Sequence, residues 1–162
     1  MKTPGYIITL CTANICRSPM AAGLLAHALA AQPEPLKSLK VISAGVACRG
    51  GEPVSPHSIG AMKKVGIDIS NHHSQPLTHA LVEDALAIFG MTETHRAAVN
   101  FQFNPKVGTV HLLRDFLPEG MEREIADPFG GPFKTYEASR DEMVDAIPSV
   151  VAFLKKLLAA KA

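Results

Sequence analysis

Tyr6-Ile7-Ile8-Thr9-Leu10-Cys11-Thr12-Ala13-Asn14-Ile15-Cys16-Arg17-Ser18-Pro19-Met20 reads as strand, loop and helix in immediate succession. Tyr6 to Leu10 is the β-branched and aromatic run that a buried strand needs, and the small polar segment Cys11 to Ser18 ends it. Ser18 suits the N-cap of the helix that follows and Pro19 its first position. Leu24, Leu25, Ala28 and Leu29 then recur at helical spacing as far as Gln32-Pro33.

The alternation continues outward. Leu39 to Ser43 reads as strand, Pro56 to Val65 as helix, Ala85 to Met91 as strand, Thr94 to Asn100 as helix and Val107 to Leu113 as strand. Such a series predicts an α/β fold, a parallel sheet with helices on both faces. Val144, Ile147, Val151, Leu154 and Leu158 form one helical stripe with Lys155, Lys156 and Lys161 near its end, so a C-terminal helix is expected to dock on the sheet. Pro148 should kink or split it. The Gly/Pro-rich stretches Arg49 to Pro56 and Asp127 to Pro132 are too short for linkers and read as loops at the mouth of a site. In open α/β sheets that mouth lies at the carboxyl ends of the strands, where Cys11 to Ser18 falls.

The chain has 162 residues, 47% of them hydrophobic, enough for one sizeable core and a single domain over residues 1–162. A net charge of +1 from 16 basic and 15 acidic residues provides no basic stripe for nucleic acid and no acidic tail. Met1-Lys2 leads straight into Tyr6-Ile7-Ile8 without a leader-like apolar stretch, and no later run approaches membrane-spanning length. A cytoplasmic monomer with no membrane contact is expected. The cysteines Cys11, Cys16 and Cys48 are too few for a disulfide framework and would remain thiols in a reducing compartment.

Cys11 and Arg17 stand six positions apart in a loop that runs into a helix N-terminus. Orphan N–H groups there, with the positive end of the helix dipole, make a site for an oxyanion such as phosphate. Arg17 adds a bidentate clamp that a lysine would not reproduce. The same field favours a thiolate, and Ser18 can donate a hydrogen bond to its sulfur, so Cys11 reads as a nucleophile. Attack on phosphorus would give a phosphocysteine that water later hydrolyses, with no metal and no nucleotide cofactor.

The stretch CTANICRSPM resembles the phosphate loop of the low-molecular-weight protein tyrosine phosphatases, and the resemblance extends through SAG at Ser43 to Gly45, GIDISNH at Gly66 to His72, MTETHR at Met91 to Arg96 and DPFGG at Asp127 to Gly131. It implies a single four-stranded parallel sheet, a phosphorylated protein as substrate, phosphate binding by Thr12, Ala13, Asn14, Ile15, Cys16 and Ser18, and an acid on the Asp-Pro loop. It also implies that Asn14 holds the loop in a strained shape, with Ser43 and His72 as partners. Read without the family, Ser43 is a turn former and His72 half of a His-His pair.

The leaving atom needs a proton, and Asp127 is the candidate donor. Composition does not separate it from Asp115, Glu119, Glu122 or Glu124; the restrained Asp-Pro-Phe-Gly-Gly turn favours it. Cys16 either forms a reversible disulfide with Cys11 on oxidation or packs under the loop.

For the substrate two features pull apart. Many family members carry two aromatics after Asp-Pro, whereas here Phe129 precedes Gly130 and Gly131, a loop that resembles the protein arginine phosphatases of the family. Those carry threonine where this chain has Ile15, which resembles the tyrosine branch. Ile15, nearest the attacking geometry, is given more weight, so phosphotyrosine is the expected substrate and phosphoarginine the alternative.

An arsenate reductase would need redox cysteines downstream of Cys48, and there are none. A non-catalytic phosphate-sensing module would be expected without a nucleophile or acid, and both are present. His72, His73 and His79 lack the spacing with carboxylates that marks a metal site. Phe101 and Phe103 are expected in the core, while Phe129 and Phe133 are candidates for pocket walls or core.

Overall fold

Side-chain alternation along the central strands sets the layers. A computed structural model describes residues 5–162; Met1 and Lys2, on which part of the N-terminal reading rests, lie outside the described residues. Strands β1 (Tyr6–Cys11), β2 (Val41–Gly45), β3 (Ala85–Gly90) and β4 (Val110–Leu112) form a parallel sheet in the order β2-β1-β3-β4. Ile7 of β1 with Ala87 and Phe89 of β3 enters one apolar cluster, and Ile8, Leu10 and Ile88 enter another on the opposite face. Period-two alternation with both faces apolar is what a sheet covered on both sides requires.

Helices α1 (Arg17–Ala30), α2 (Pro56–Lys63) and α5 (Phe133–Lys161) cover the first face, contributing Met20, Leu25, Met62, Met143 and Leu154 to its core. Helices α3 (His79–Asp84) and α4 (Glu93–Phe103) cover the second through Val82 and Val99. After β1 the chain adds β2 on one side, and later β3 on the other. The end of β1 is therefore the switch point at which α/β folds open a crevice, and the segment after Cys11 occupies it.

Several boundaries differ from expectation. Helix α1 begins at Arg17 with Cys16 as N-cap, so Ser18 and Pro19 lie inside its first turn. Proline is tolerated there because first-turn N–H groups have no intrahelical partner in any case. Strand β2 is shifted two residues along from Leu39–Ser43, which brings Gly45 beside Cys11. Strand β4 shrinks to Val110–Leu112, because Gly108, at φ +82°, turns the chain just before it and leaves Val107 exposed. Helix α3 was not foreseen; its six residues rest on a Thr78 cap that accepts from the Leu81 N–H.

Pro148 does not split α5, which runs without interruption from Phe133 to Lys161. Its cost of about 3 kcal/mol is opposed by burial on both sides, from Tyr136 and Met143 before it to Val150 and Leu154 after it. The buried stripe is also rotated from the expected one, since Val144 is largely solvent-facing. Phe101 is not core: it is 92% exposed, while Phe103 two residues on packs half-buried against His79.

Candidate active site

The loop between β1 and α1 is turned inside out. Its carbonyls bond outward: those of Cys11, Thr12 and Ile15 accept from the N–H groups of Val46, Ala47 and Ser55, and Cys16 C=O accepts from the Ser58 hydroxyl. Among the described residues no acceptor is found for the N–H groups of Thr12 to Cys16. A ring of unpaired N–H groups at a helix N-terminus is a nest for an anion. Gly45 permits the arrangement, because a Cβ there would stand 2.6 Å from the Thr12 carbonyl oxygen.

Asn14 holds the turn. It lies at φ +60°, fully buried, where a non-glycine residue is strained. Its Nδ2 donates to Ser18 Oγ at 2.7 Å and to Ser43 Oγ at 2.9 Å, its Oδ1 accepts from the Gln75 N–H at 2.9 Å, and its C=O accepts from His72 Nε2 at 2.8 Å. His72 is half-buried, and that burial lowers its pKa. Replacing Asn14 by Ala would leave the Gln75 N–H without its acceptor and put a Cβ-bearing residue in the left-handed region without support. Asn14→Ala is expected to lose about 3 kcal/mol of stability, read as a fall in the urea midpoint; a loss under about 1 kcal/mol would contradict this holding role.

These bonds also fix proton directions. Ser18 Oγ already accepts from Asn14, so its own hydrogen is free to point at Cys11 Sγ, 3.0 Å away. Cys11 is 3% exposed at the floor of a cleft of about 350 Å³, lined also by Thr12, Ala13, Ile15, Arg17, Asp127 and Phe129. Arg17 is pinned through NH1 to the Ile125 carbonyl at 2.8 Å, which leaves its Nε/NH2 edge to face the cleft, and NH2 lies 3.6 Å from Asp127 Oδ2. Asp127 caps its own turn by accepting from the Phe129 N–H at 3.1 Å, and Gly130, at φ +80°, completes the turn that returns Gly131 to the Pro128 carbonyl. Phe129 is 71% exposed at the rim.

Cys16 also lines the cleft, but its sulfur is directed beneath the loop towards Tyr136. It is buried in the core with its sulfur 3.8 Å from Tyr136 OH, and burial raises the pKa of its thiol. The two cysteines of the loop, five positions apart, thus hold their sulfurs in two environments, one at the cleft floor and one beneath the loop. Cys48 is half-buried, and its thiol pKa is likewise raised by burial. Among the described residues no group of three or more His, Cys, Asp or Glu side chains is arranged to hold a metal ion.

Sequence reasoning missed His95. Its Nδ1 accepts from the N–H groups of Met91 and Thr92 at 3.2 and 3.3 Å, so the ring hydrogen sits on Nε2 and is donated to Thr12 Oγ1 at 3.0 Å. The Thr12 hydroxyl is thereby left to donate into the cleft. The Thr-x-x-His pattern at Thr92 to His95 is a variant capping box, and that was the available signal.

Burial, with the positive charge of Arg17 second and Asp127 opposing, holds the His95 pKa down at about 4. The unfolded chain therefore takes up a proton below about pH 6.5 that the native chain refuses until about pH 4. Stability from this group is full above about pH 6.5 and is lost as pH falls towards 4, by up to an order of 3 kcal/mol. His95→Gln should show a shallower acid limb in urea midpoints measured from pH 7 to 4.5; identical limbs would refute the assignment.

An oxyanion nest closed over a cysteine, with an arginine clamp and a carboxylate at the rim, defines a thiol-based oxyanion-transfer site on a parallel α/β scaffold. The model of the low molecular weight phosphotyrosine protein phosphatase family matches residues 6–160, and the chain belongs to that family. An arginine phosphatase structure from Geobacillus stearothermophilus superposes with a TM-score of 0.82 at 34% identity over 94% of both chains. A probable low molecular weight protein-tyrosine-phosphatase of Ralstonia nicotianae is 32% identical, covering 93% of this chain and 97% of that one. An arsenate reductase of Staphylococcus aureus is 33% identical, covering 90% and 95%.

Proposed function

We propose that the protein is a metal-independent protein phosphatase that works through a phosphocysteine on Cys11. The observation that carries this is the nest: N–H groups of Thr12 to Cys16 that find no acceptor among the described residues belong to a loop that lines one cleft with Arg17 and with the Cys11 sulfur, 3.0 Å from the Ser18 hydroxyl. In the first step Cys11 Sγ bonds to phosphorus, the bond from phosphorus to the leaving atom breaks, and the Asp127 carboxyl proton passes to that atom. In the second, water attacks phosphorus, the S–P bond breaks and Asp127 recovers the proton. Thr12, Ala13, Asn14, Ile15, Cys16 and Ser18 build the phosphate cradle, with Ser43 and His72 as its support.

Phosphotyrosine is the substrate that apolar Ile15, one of the residues lining the cleft, favours. Phosphoarginine is the second reading, favoured by the single aromatic of the Asp127 loop and by the arginine phosphatase relative. The three reduced cysteines suit a cytoplasmic setting, and we take the working unit to be a monomer acting on phosphorylated proteins. No helix among the described residues is long and apolar enough to cross a membrane. An arsenate reductase is disfavoured because Cys16 and Cys48 are the only other thiols and neither lies downstream of residue 48. Steady-state phosphate release from phosphotyrosine and phosphoarginine peptides, with chelator present, tests the reading. Turnover on either peptide supports it; none on both from folded, reduced protein overturns it in favour of a sensing module.

A further inference from the structure

One ionisable group in the cleft has no part in the chemistry above. Glu52 lines the same cavity as Cys11, Arg17, Asp127 and Phe129, yet it comes from the loop between β2 and α2. Its backbone is fixed: the N–H donates to Ser74 Oγ at 3.0 Å and the C=O accepts from the Ser74 N–H at 2.8 Å. Ser74 precedes Gln75, which is bonded to Asn14, so the Glu52 segment is tied to the phosphate loop itself.

The Glu52 side chain is different. It is half-buried, and among the described residues no lysine, arginine or histidine comes within ion-pair distance of its carboxylate. Asp127, the other carboxylate of the cleft, is matched by Arg17. An unmatched anion beside a phosphate nest opposes the binding of a phosphate dianion, unless the ligand brings its own positive charge. The exposed ring of Phe129 at the same rim offers a face to a planar cation.

We infer that Glu52 is a selectivity residue that binds the cationic leaving group of a phosphorylated guanidinium, raising phosphoarginine relative to phosphotyrosine. This rests on the phosphatase reading, takes up the second of its two substrates, and assigns the leaving-group side of the site. A phosphoguanidinium places its phosphate in the nest and its planar cation between Glu52 and Phe129, and a carboxylate matches that fork through two parallel N–H bonds. A phenol ring offers Glu52 no counter-charge. Ile15 is compatible with this arrangement, because an apolar wall beneath the flat face of a guanidinium leaves its in-plane donors free.

The test is kcat/KM on matched phosphoarginine and phosphotyrosine peptides for the parent, Glu52→Gln and Glu52→Lys, each checked for an unchanged melting temperature. Loss of one charge-assisted contact is worth at least about tenfold. In Glu52→Gln the phosphoarginine-to-phosphotyrosine ratio should therefore fall about tenfold, chiefly through KM on phosphoarginine. The phosphotyrosine rate should rise as repulsion of the dianion is removed, and Glu52→Lys should move both further the same way. A ratio that stays within about twofold of the parent in both variants, or two rates that fall together, overturns the inference while leaving the phosphatase reading intact. Absence of parent turnover on both peptides is instead the failure of that reading, and the inference falls with it.

Discussion

Cys11→Ser is expected to release no phosphate above background from either peptide, a loss of at least about 10⁴-fold in kcat/KM. The change removes one sulfur from the floor of the cleft and leaves the cradle in place. Asn14 still bonds Ser18, Ser43 and Gln75, and Arg17 remains pinned to Ile125. A serine hydroxyl stays protonated where a thiol can ionise, and the hydrogen of Ser18 supports an anion that the variant never forms. Inorganic phosphate should therefore still bind to Cys11→Ser, which titration calorimetry would detect. Retained binding without turnover separates loss of the nucleophile from collapse of the loop.

The second large effect concerns Asp127. Its carboxylate is half exposed at the rim, 3.6 Å from Arg17 NH2. In the proposed mechanism a phosphate dianion would take that edge of Arg17, and Asp127 would then serve the leaving atom as the acid. Asp127→Ala should lower kcat on a phosphotyrosine peptide by about 10² to 10⁴. On p-nitrophenyl phosphate, whose phenolate departs without protonation, the loss should be much smaller. Equal losses on the two substrates would show that Asp127 positions the loop and transfers no proton.

The fold was legible because its central signals are local. Strand, loop and helix follow one another within fifteen residues, from Tyr6 to Met20, and the apolar alternation of β1 and β3 is unbroken by charge. Where the reading failed, tertiary context had overruled local pattern. Ser18 is a good capping residue by type, but Asn14 and Cys11 claim its hydroxyl, so the helix starts two residues earlier without a side-chain cap. Phe101 falls on the solvent face of α4, which hydrophobicity alone does not reveal. Pro148 sits in a helix whose packing extends past it on both sides, and no local rule reports that.

The candidate site divides in the same way. Cys11, Arg17 and Ser18 belong to one continuous segment whose spacing carries its chemistry. Ser43 comes from β2 and His72 from a distant loop, and only likeness to a family could join them to the first segment, while Asp127 was marked by its restrained Asp-Pro turn as well. His95 and Glu52 were open to neither route. The role of His95 depends on two backbone N–H groups fixing its tautomer, which no sequence pattern states. Glu52 is the only carboxylate of the Arg49 to Pro56 loop, which reads as part of the mouth of the site, but nothing in that pattern gives it a role. Its lack of a counter-charge is a property of the folded chain.

The central claim is that phosphoryl passes through Cys11. Denaturing quench of the parent and of Asp127→Ala during turnover of a phosphotyrosine peptide, with chelator present, followed by mass mapping, tests it most directly. The prediction is a phosphoryl group on the peptide that contains Cys11, absent from Cys11→Ser, whose phosphate release is also lost. Phosphate release that continues in Cys11→Ser, or a phosphoryl group carried by a different residue, would contradict the account.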